Sequence, residues 1–246
     1  MKLEIRICKD RYELGKSAAR LVAQAINETI AEKGGARIAL STGASQFDTL
    51  ACLIKENVDW SKVEMFHLDE YVELPESHIA SFRKYLKEKF TSKVKLKAAY
   101  FVDGTEENRK ALCKKISESP IDIGLIGIGE NAHIAFNDPP ADFDTEEPYI
   151  VVNLNDTCKK QQVGEGWFEC ADDVPKQAVS MSVKQIMKCR KIVSCVPYAV
   201  KADAVQKTLS GELSNQIPAT ILKTHNDFTL YIDSESSEKL SLPVAW

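Results

Sequence analysis

The sequence predicts an α/β protein with a largely parallel sheet and helices packed on both faces. Two observations carry this. Short apolar runs alternate with segments of helical period along most of the chain, which is the pattern of βαβ units. One run near the middle, Ile121-Asp122-Ile123-Gly124-Leu125-Ile126-Gly127-Ile128, is almost continuously apolar. A strand covered on both faces needs that character, so this run is expected at the centre of the sheet.

Residues 12–32 place Leu14, Ala18, Leu21, Val22, Ala25, Ile26 and Ile30 on one helical stripe, ended by Gly34-Gly35. Ala36-Arg37-Ile38-Ala39-Leu40 then reads as a strand that empties into Ser41-Thr42-Gly43-Ala44-Ser45, followed by a helix from about Gln46 to Asn57. Further strands are expected at Val63–Leu68, Ala98–Val102, Tyr149–Leu154, Ala178–Met181, Lys191–Pro197 and Phe228–Ile232. Helices are expected at Ser81–Phe90, Glu106–Ser117, Val183–Lys188 and Val200–Leu209. No repeat or linker interrupts the pattern, and 246 residues fall within the reach of one domain, so a single domain over 1–246 is expected. Asp138–Pro148 is rich in proline and acids, which disfavour regular structure; it reads either as part of a lid over the site, around 138–165, or as a plain solvated loop.

Composition removes several classes of function. With 44% hydrophobic and 28% charged residues the chain is ordinary for a globular protein. A net charge of −4 supplies no bulk attraction for nucleic acid or anionic membranes, so a phosphate-bearing ligand needs a local site. The N-terminus lacks the continuous apolar core of an export signal, and no run approaches the roughly 18 apolar residues of a membrane span. The seven cysteines are scattered without a Cys-x-x-Cys pair and read as reduced thiols of a cytoplasmic protein. The four histidines show no i, i+4 pair, so no metal site is expected. The chain leaves a homo-oligomer open.

In a parallel α/β sheet, ligands bind at the carboxyl ends of the strands, which makes the segments after strands the place to look. Ser41–Gln46 lies between a strand and a helix, where backbone N–H groups and small hydroxyls can surround a phosphate. It has neither a Walker lysine nor a dinucleotide glycine pattern; its alternative is a simple helix cap. Asp69 and Glu70 end the next strand. A partly desolvated carboxylate there is a suitable base for a proton beside a carbonyl or imine, the alternative being an acidic helix cap. The segment Gly127-Ile128-Gly129-Glu130-Asn131-Ala132-His133-Ile134-Ala135-Phe136-Asn137-Asp138-Pro139 comes after the central strand and brings His133 close to an amide and a carboxylate. Lys201, Arg83, Lys159 and Lys160 are the candidate cations for phosphate, each equally readable as a solvated side chain.

Taken together, Ser41–Gln46, Phe66-His67-Leu68-Asp69-Glu70-Tyr71-Val72-Glu73-Leu74-Pro75 and Gly127–Pro139 resemble the glucosamine-6-phosphate deaminase family in order and spacing. The resemblance continues through Val174-Pro175-Lys176 to Lys201. It implies a Rossmann-like fold of the kind shared with ribose-5-phosphate isomerases and CoA transferases, and a small-molecule sugar phosphate as partner. It also implies the conversion of glucosamine 6-phosphate and water to fructose 6-phosphate and ammonia. By position, His133 resembles the ring-opening acid/base, helped by Asn131 and Asp138, and Asp69 the base for the C2 proton, with Glu70 beside it. Ser41, Thr42, Gly43, Ala44, Ser45, Gly129 and Lys201 fall where the family holds substrate. No cofactor is implied, since the substrate's own amine supplies the electron sink.

Three departures from the family pattern are visible. Asn131 and Asp138 stand where an aspartate and a glutamate are common. Asn131 brings no charge to an imidazolium, and Asp138 is one methylene shorter than glutamate. Cys158-Lys159-Lys160-Gln161-Gln162 occupies the stretch where an arginine contacts phosphate, a contact left to Lys159, Lys160 or Arg83. Two further readings stay open: a 6-phosphogluconolactonase-type hydrolase, which needs the histidine but no C2 base, and a sugar-phosphate-sensing domain with little turnover.

Overall fold

The computed structural model describes residues 2–240, so both ends of the domain expected over 1–246 lie outside the described residues. In chain order the elements are β1 (Lys2–Cys8), α1 (Arg11–Lys33), β2 (Ala36–Leu40), α2 (Phe47–Leu53), β3 (Val63–His67), β4 (Asp69–Tyr71), α3 (Phe82–Leu86), β5 (Ala98–Tyr100), α4 (Glu106–Ile116), β6 (Ile123–Leu125), β7 (Tyr149–Asn153), α5 (Asp156–Gly164), β8 (Gln177–Met181), α6 (Val183–Met187), β9 (Lys191–Val196), α7 (Ala202–Ser210) and β10 (Asp227–Asp233).

Seven strands form one sheet in the order β1-β10-β9-β6-β2-β3-β5, and each neighbouring pair is parallel. The strand expected at the centre is there: β6 is fourth of seven and fully buried. The chain winds outward from β2 to β3 on one side and from β9 to β10 on the other, so the crevice beside β6 is the switch point where such sheets bind ligands. Register aligns the ends of the strands there. Leu40 pairs with Leu125, and Leu125 with Val193. The segments leaving β2 and β6 therefore start level with one another, tied by the Ser41 N–H donating to Leu125 O at 3.0 Å.

Helix α1 is capped at both ends as its sequence asks. Asp10 accepts from the N–H groups of Tyr12 and Glu13, and Gly34, at φ 82°, closes the last turn. Its stripe of Leu14, Ala18, Val22 and Ile26 is buried against the sheet with Ile38, Leu40 and Leu125. Burying that face, rather than helix propensity, holds the helix in place.

The structure departs from the sequence reading in three places. Strand β1 is not among the expected strands, because charges at Lys2, Glu4 and Arg6 interrupt its apolar residues; as an edge strand it needs only its pairing with β10. Strands β7 and β8 do not join the main sheet; with β4 they form a separate three-stranded antiparallel sheet. The chain changes sheets at Leu68, whose N–H bonds Leu40 O of one sheet while its C=O accepts from Met181 of the other. Helix α5 is not among the expected helices; it is capped by Asn155, which accepts from the Cys158 N–H at 2.8 Å. Among the described residues no helix is long and apolar enough to cross a membrane, and no cluster of His, Cys, Asp and Glu could hold a metal.

Candidate active site

A cleft of about 170 Å³ opens at the switch point, lined by Ser41–Gln46, Asp69, Gly127–Glu130, His133, Gln161, Gln162, Glu165, Tyr198 and Lys201, among others. A larger apolar groove of about 710 Å³ lies alongside, between α2 and α3, and shares Thr42, Gly43 and Phe82 with it. Asp69, His133 and Lys201 line the smaller cleft and not the groove, so the chemistry belongs to the cleft.

Asp69 enters the cleft because the chain switches sheets one residue earlier. It is buried, and its carboxyl is raised from 3.8 to about 8. Burial is the main cause and the nearby Glu70 charge adds to it, while the Phe136 backbone opposes both. Glu70 itself faces away from the cleft. Its carboxylate accepts from Ser81 Oγ at 2.8 Å and from the N–H groups of Phe82 and Arg83, satisfying the first turn of α3.

The loop after β6 folds back on itself to present His133. Gly129 N–H bonds His133 O at 2.9 Å, and Ala132 turns the chain at φ 64°. A Cβ on Gly129 would overlap the imidazole ring, so the ring occupies space that only glycine leaves open. Nδ1 of His133 lies 2.6 Å from Asn131 Oδ1 and 3.2 Å from Asp138 Oδ1, and Asn131 Nδ2 donates to the same Asp138 oxygen at 2.9 Å. Asp138 thus reaches the imidazole despite its shorter side chain. Burial acts to raise its carboxyl, yet the hydrogen bonds from His133 and Asn131 outweigh it and hold the group below the usual value. With Nδ1 occupied, Nε2 has no protein partner among the described residues and is the nitrogen left for a substrate.

The cleft also gathers a loop of small residues and one cation, groups able to hold an anion. Ser41–Ser45 lines it, with Gly43 at φ 95° turning the backbone into the short helix that precedes α2. Ser41 Oγ and Gln46 Oε1 are buried without a partner among the described residues. Lys201 is the one Lys or Arg lining the cleft. It is 7% exposed and forms no ion pair among the described residues. Burial lowers its pKa, with Glu165 and Glu130 acting against that.

Gly129 is thus in the cleft with Asp69, His133, Ser41, Thr42, Ala44 and Lys201, Glu70 faces away from it, Asn131 and Asp138 stand behind His133, and three of the candidate cations are outside it. Arg83 is 3.2 Å from Glu76 in an ion pair, Lys160 is exposed on α5, and Lys159 does not line the cleft either. The polar side chains of Gln46, Glu130, Gln161, Gln162, Glu165 and Tyr198 also line the cleft without being predicted as site residues. Glu130 lies inside the loop after β6 and Gln46 closes the loop after β2, so both were within reach of the sequence; the α5 residues and Tyr198 carry no local signal. Asp138–Pro148 is fastened at its far end, Glu146 to Lys184 at 2.7 Å and Glu147 to Arg109. Later in the same 138–165 stretch, Gln161 and Gln162 of α5 and Glu165 at its C-cap line the cleft.

A model describing glucosamine-6-phosphate isomerases and 6-phosphogluconolactonases matches residues 9–231. The chain belongs to this family. A glucosamine-6-phosphate deaminase of Staphylococcus epidermidis is 37% identical over 89% of this chain and 94% of that one. Another, of Bacillus cereus, is 30% identical over 99% of this chain and 91% of its own. Among solved structures, a monomeric glucosamine-6-phosphate deaminase superposes with TM-score 0.84 at 29% identity, covering 96% of this chain and 99% of the other. A 6-phosphogluconolactonase of Thermotoga maritima superposes with TM-score 0.79 at 14% identity, covering 95% and 100%, which is a likeness of fold. The α/β architecture read from the sequence is therefore that of the glucosamine-6-phosphate isomerase/6-phosphogluconolactonase family.

Proposed function

We propose that the protein is a glucosamine-6-phosphate deaminase, converting glucosamine 6-phosphate and water to fructose 6-phosphate and ammonia. The observation that carries this is Asp69: a buried carboxyl with its pKa raised to about 8, lining the same cleft as an oriented imidazole. A group so basic suits abstraction of a C–H proton near neutral pH. Lactone hydrolysis has no use for it.

The phosphate sits on the Ser41–Ser45 loop with Lys201 as its cation. His133, its Nδ1 held by Asn131 and Asp138, moves a proton between the ring oxygen and the anomeric hydroxyl through Nε2, opening the ring. Asp69 takes the C2 proton and returns it to C1, leaving an imine at C2 that water hydrolyses to the ketose and ammonia. Helix α5, with Gln161 and Gln162 on it and Glu165 at its C-cap, serves as the lid. The whole of 1–246 acts as one domain, and its unpaired cysteines fit a reducing, cytoplasmic setting.

Ammonia release by purified protein, with galactosamine 6-phosphate and 6-phosphogluconolactone assayed in parallel, tests the reading. Glucosamine 6-phosphate is expected to release ammonia. Turnover of the lactone alone, or binding of an amino-sugar phosphate without turnover, would overturn it.

A further inference from the structure

Tyr198 turns the chain from β9 toward α7 at φ 82° and ψ 143°. Glycine populates that region freely, whereas a residue with a side chain adopts it only under strain. A tyrosine there calls for a task that glycine has no atoms to perform.

The backbone contacts do not supply that task. The Tyr198 N–H donates to the buried Asp233 carboxylate, 3.3 and 3.1 Å from its two oxygens, and its C=O accepts from the Lys201 N–H at 3.0 Å. Glycine would make both. The side chain makes two more: its hydroxyl accepts from Arg11 Nη1 at 3.1 Å and donates to the Ala44 C=O at 3.4 Å. The second is long for an O–H donor. Arg11, whose guanidinium also lies 5.7 Å from the ring centre, fixes where the hydroxyl sits.

These contacts join parts of the cleft that come from different strands. Ala44 belongs to the loop after β2, whereas Lys201 follows Tyr198 by three residues after β9. Because a peptide group is planar and trans, anchoring the Ala44 C=O also sets the direction of the Ser45 N–H opposite it. Arg11 itself does not line the cleft; it stands at the start of α1, 3.6 Å from Asp48 of α2. We propose that Tyr198 is a positioning residue of the anion site, its hydroxyl tying the Ser41–Ser45 loop to Arg11 and to the segment that carries Lys201. This rests on that loop and Lys201 holding the substrate phosphate.

Inorganic phosphate, titrated calorimetrically into the full chain, reads the anion site without any turnover. Tyr198→Gly keeps the turn, Tyr198→Phe keeps the ring, and both remove the hydroxyl. Each is expected to raise the Kd for phosphate by roughly threefold or more, the loss of one neutral hydrogen bond. A residue that only turned the chain would leave Tyr198→Gly binding like the parent, and parent-like binding by either variant overturns the proposal. Arg11→Met should weaken phosphate binding in the parent but add nothing in the Tyr198→Phe background, since it acts through the same hydroxyl; additive losses count against it. With glucosamine 6-phosphate, the Tyr198→Phe loss should appear in KM, and a fall confined to kcat contradicts an anion-positioning role. A parent that releases ammonia yet binds no phosphate refutes this proposal alone. Phosphate binding that depends on Tyr198, in a protein that releases no ammonia, supports it and refutes only the deaminase reading.

Discussion

Asp69 and Glu70 are adjacent on strand β4 and point to opposite faces of it, so two carboxylates one residue apart do different work. Alternation along a strand sends Asp69 into the cleft and Glu70 against the N-terminus of α3, where it takes up N–H groups that would otherwise be unpaired. Their charges still interact, and Glu70 contributes to the raised proton affinity of Asp69.

Replacing Asp69 by Asn should separate activity from stability. Loss of the C2 base is expected to abolish ammonia release. The sign for stability runs the other way. A carboxyl whose folded pKa is raised, here from 3.8 to about 8, contributes stability that is intact below its unfolded pKa and lost as pH rises through the folded one. Asn carries no such dependence, so Asp69→Asn should match the parent near pH 3 and exceed it by about 5 kcal/mol at pH 8. Urea denaturation at the two pH values measures this, and equal stabilities at pH 8 would refute the burial of an ionisable Asp69.

Glu70→Gln removes the neighbouring charge and keeps an acceptor for the start of α3. The expected result is an acid limb of the kcat/KM profile moved to lower pH, because Asp69 loses a contribution that raises its pKa. Tm should fall, since a neutral amide is a poorer acceptor for the N–H groups of Phe82 and Arg83. A limb that stays in place would show that the two carboxylates do not sense each other.

Asp138→Asn leaves Asn131 as the acceptor for His133 Nδ1 but takes away the charge that supports an imidazolium. A fall in kcat of roughly 10- to 100-fold is expected, smaller than the ~10⁴ lost where one aspartate alone orients the catalytic imidazole. Gly129→Ala is expected to be more damaging, because the added methyl and the ring cannot share the same space. Steady-state kinetics of the two variants, with circular dichroism as a check on folding, decides the order.

Lys201→Met should raise KM by about 10- to 100-fold, the equivalent of roughly 1.5–3 kcal/mol for a hydrogen bond to a charged group. The unliganded protein should be no less stable, because a buried cation without an ion pair has been removed. Inorganic phosphate is expected to raise the Tm of the parent and not that of the variant; an equal rise in both would place the anion elsewhere.

The helix and strand periodicities of α1, β2, β6 and β9 were legible because each buries a face long enough to repeat. Strand β1 was not, since an edge strand is held by its neighbour's backbone while its side chains alternate with charge. Ser41–Ser45, Asp69 and His133 were legible because each sits at or just past the carboxyl end of a strand. Arg83 and Lys160 carried the right charge, but Arg83 is turned toward Glu76 and Lys160 toward solvent.

By itself the sequence determined the parallel α/β class, the central strand and the three loops that meet at its end, because each is written in a local pattern of a few residues. Tertiary structure alone decided that Glu70 caps a helix while Asp69 is desolvated, that Asp138 reaches His133, and that Gln161 and Gln162 of α5 line the cleft. Those outcomes depend on distances between groups remote in sequence and on how completely water is excluded around them. Periodicity encodes neither.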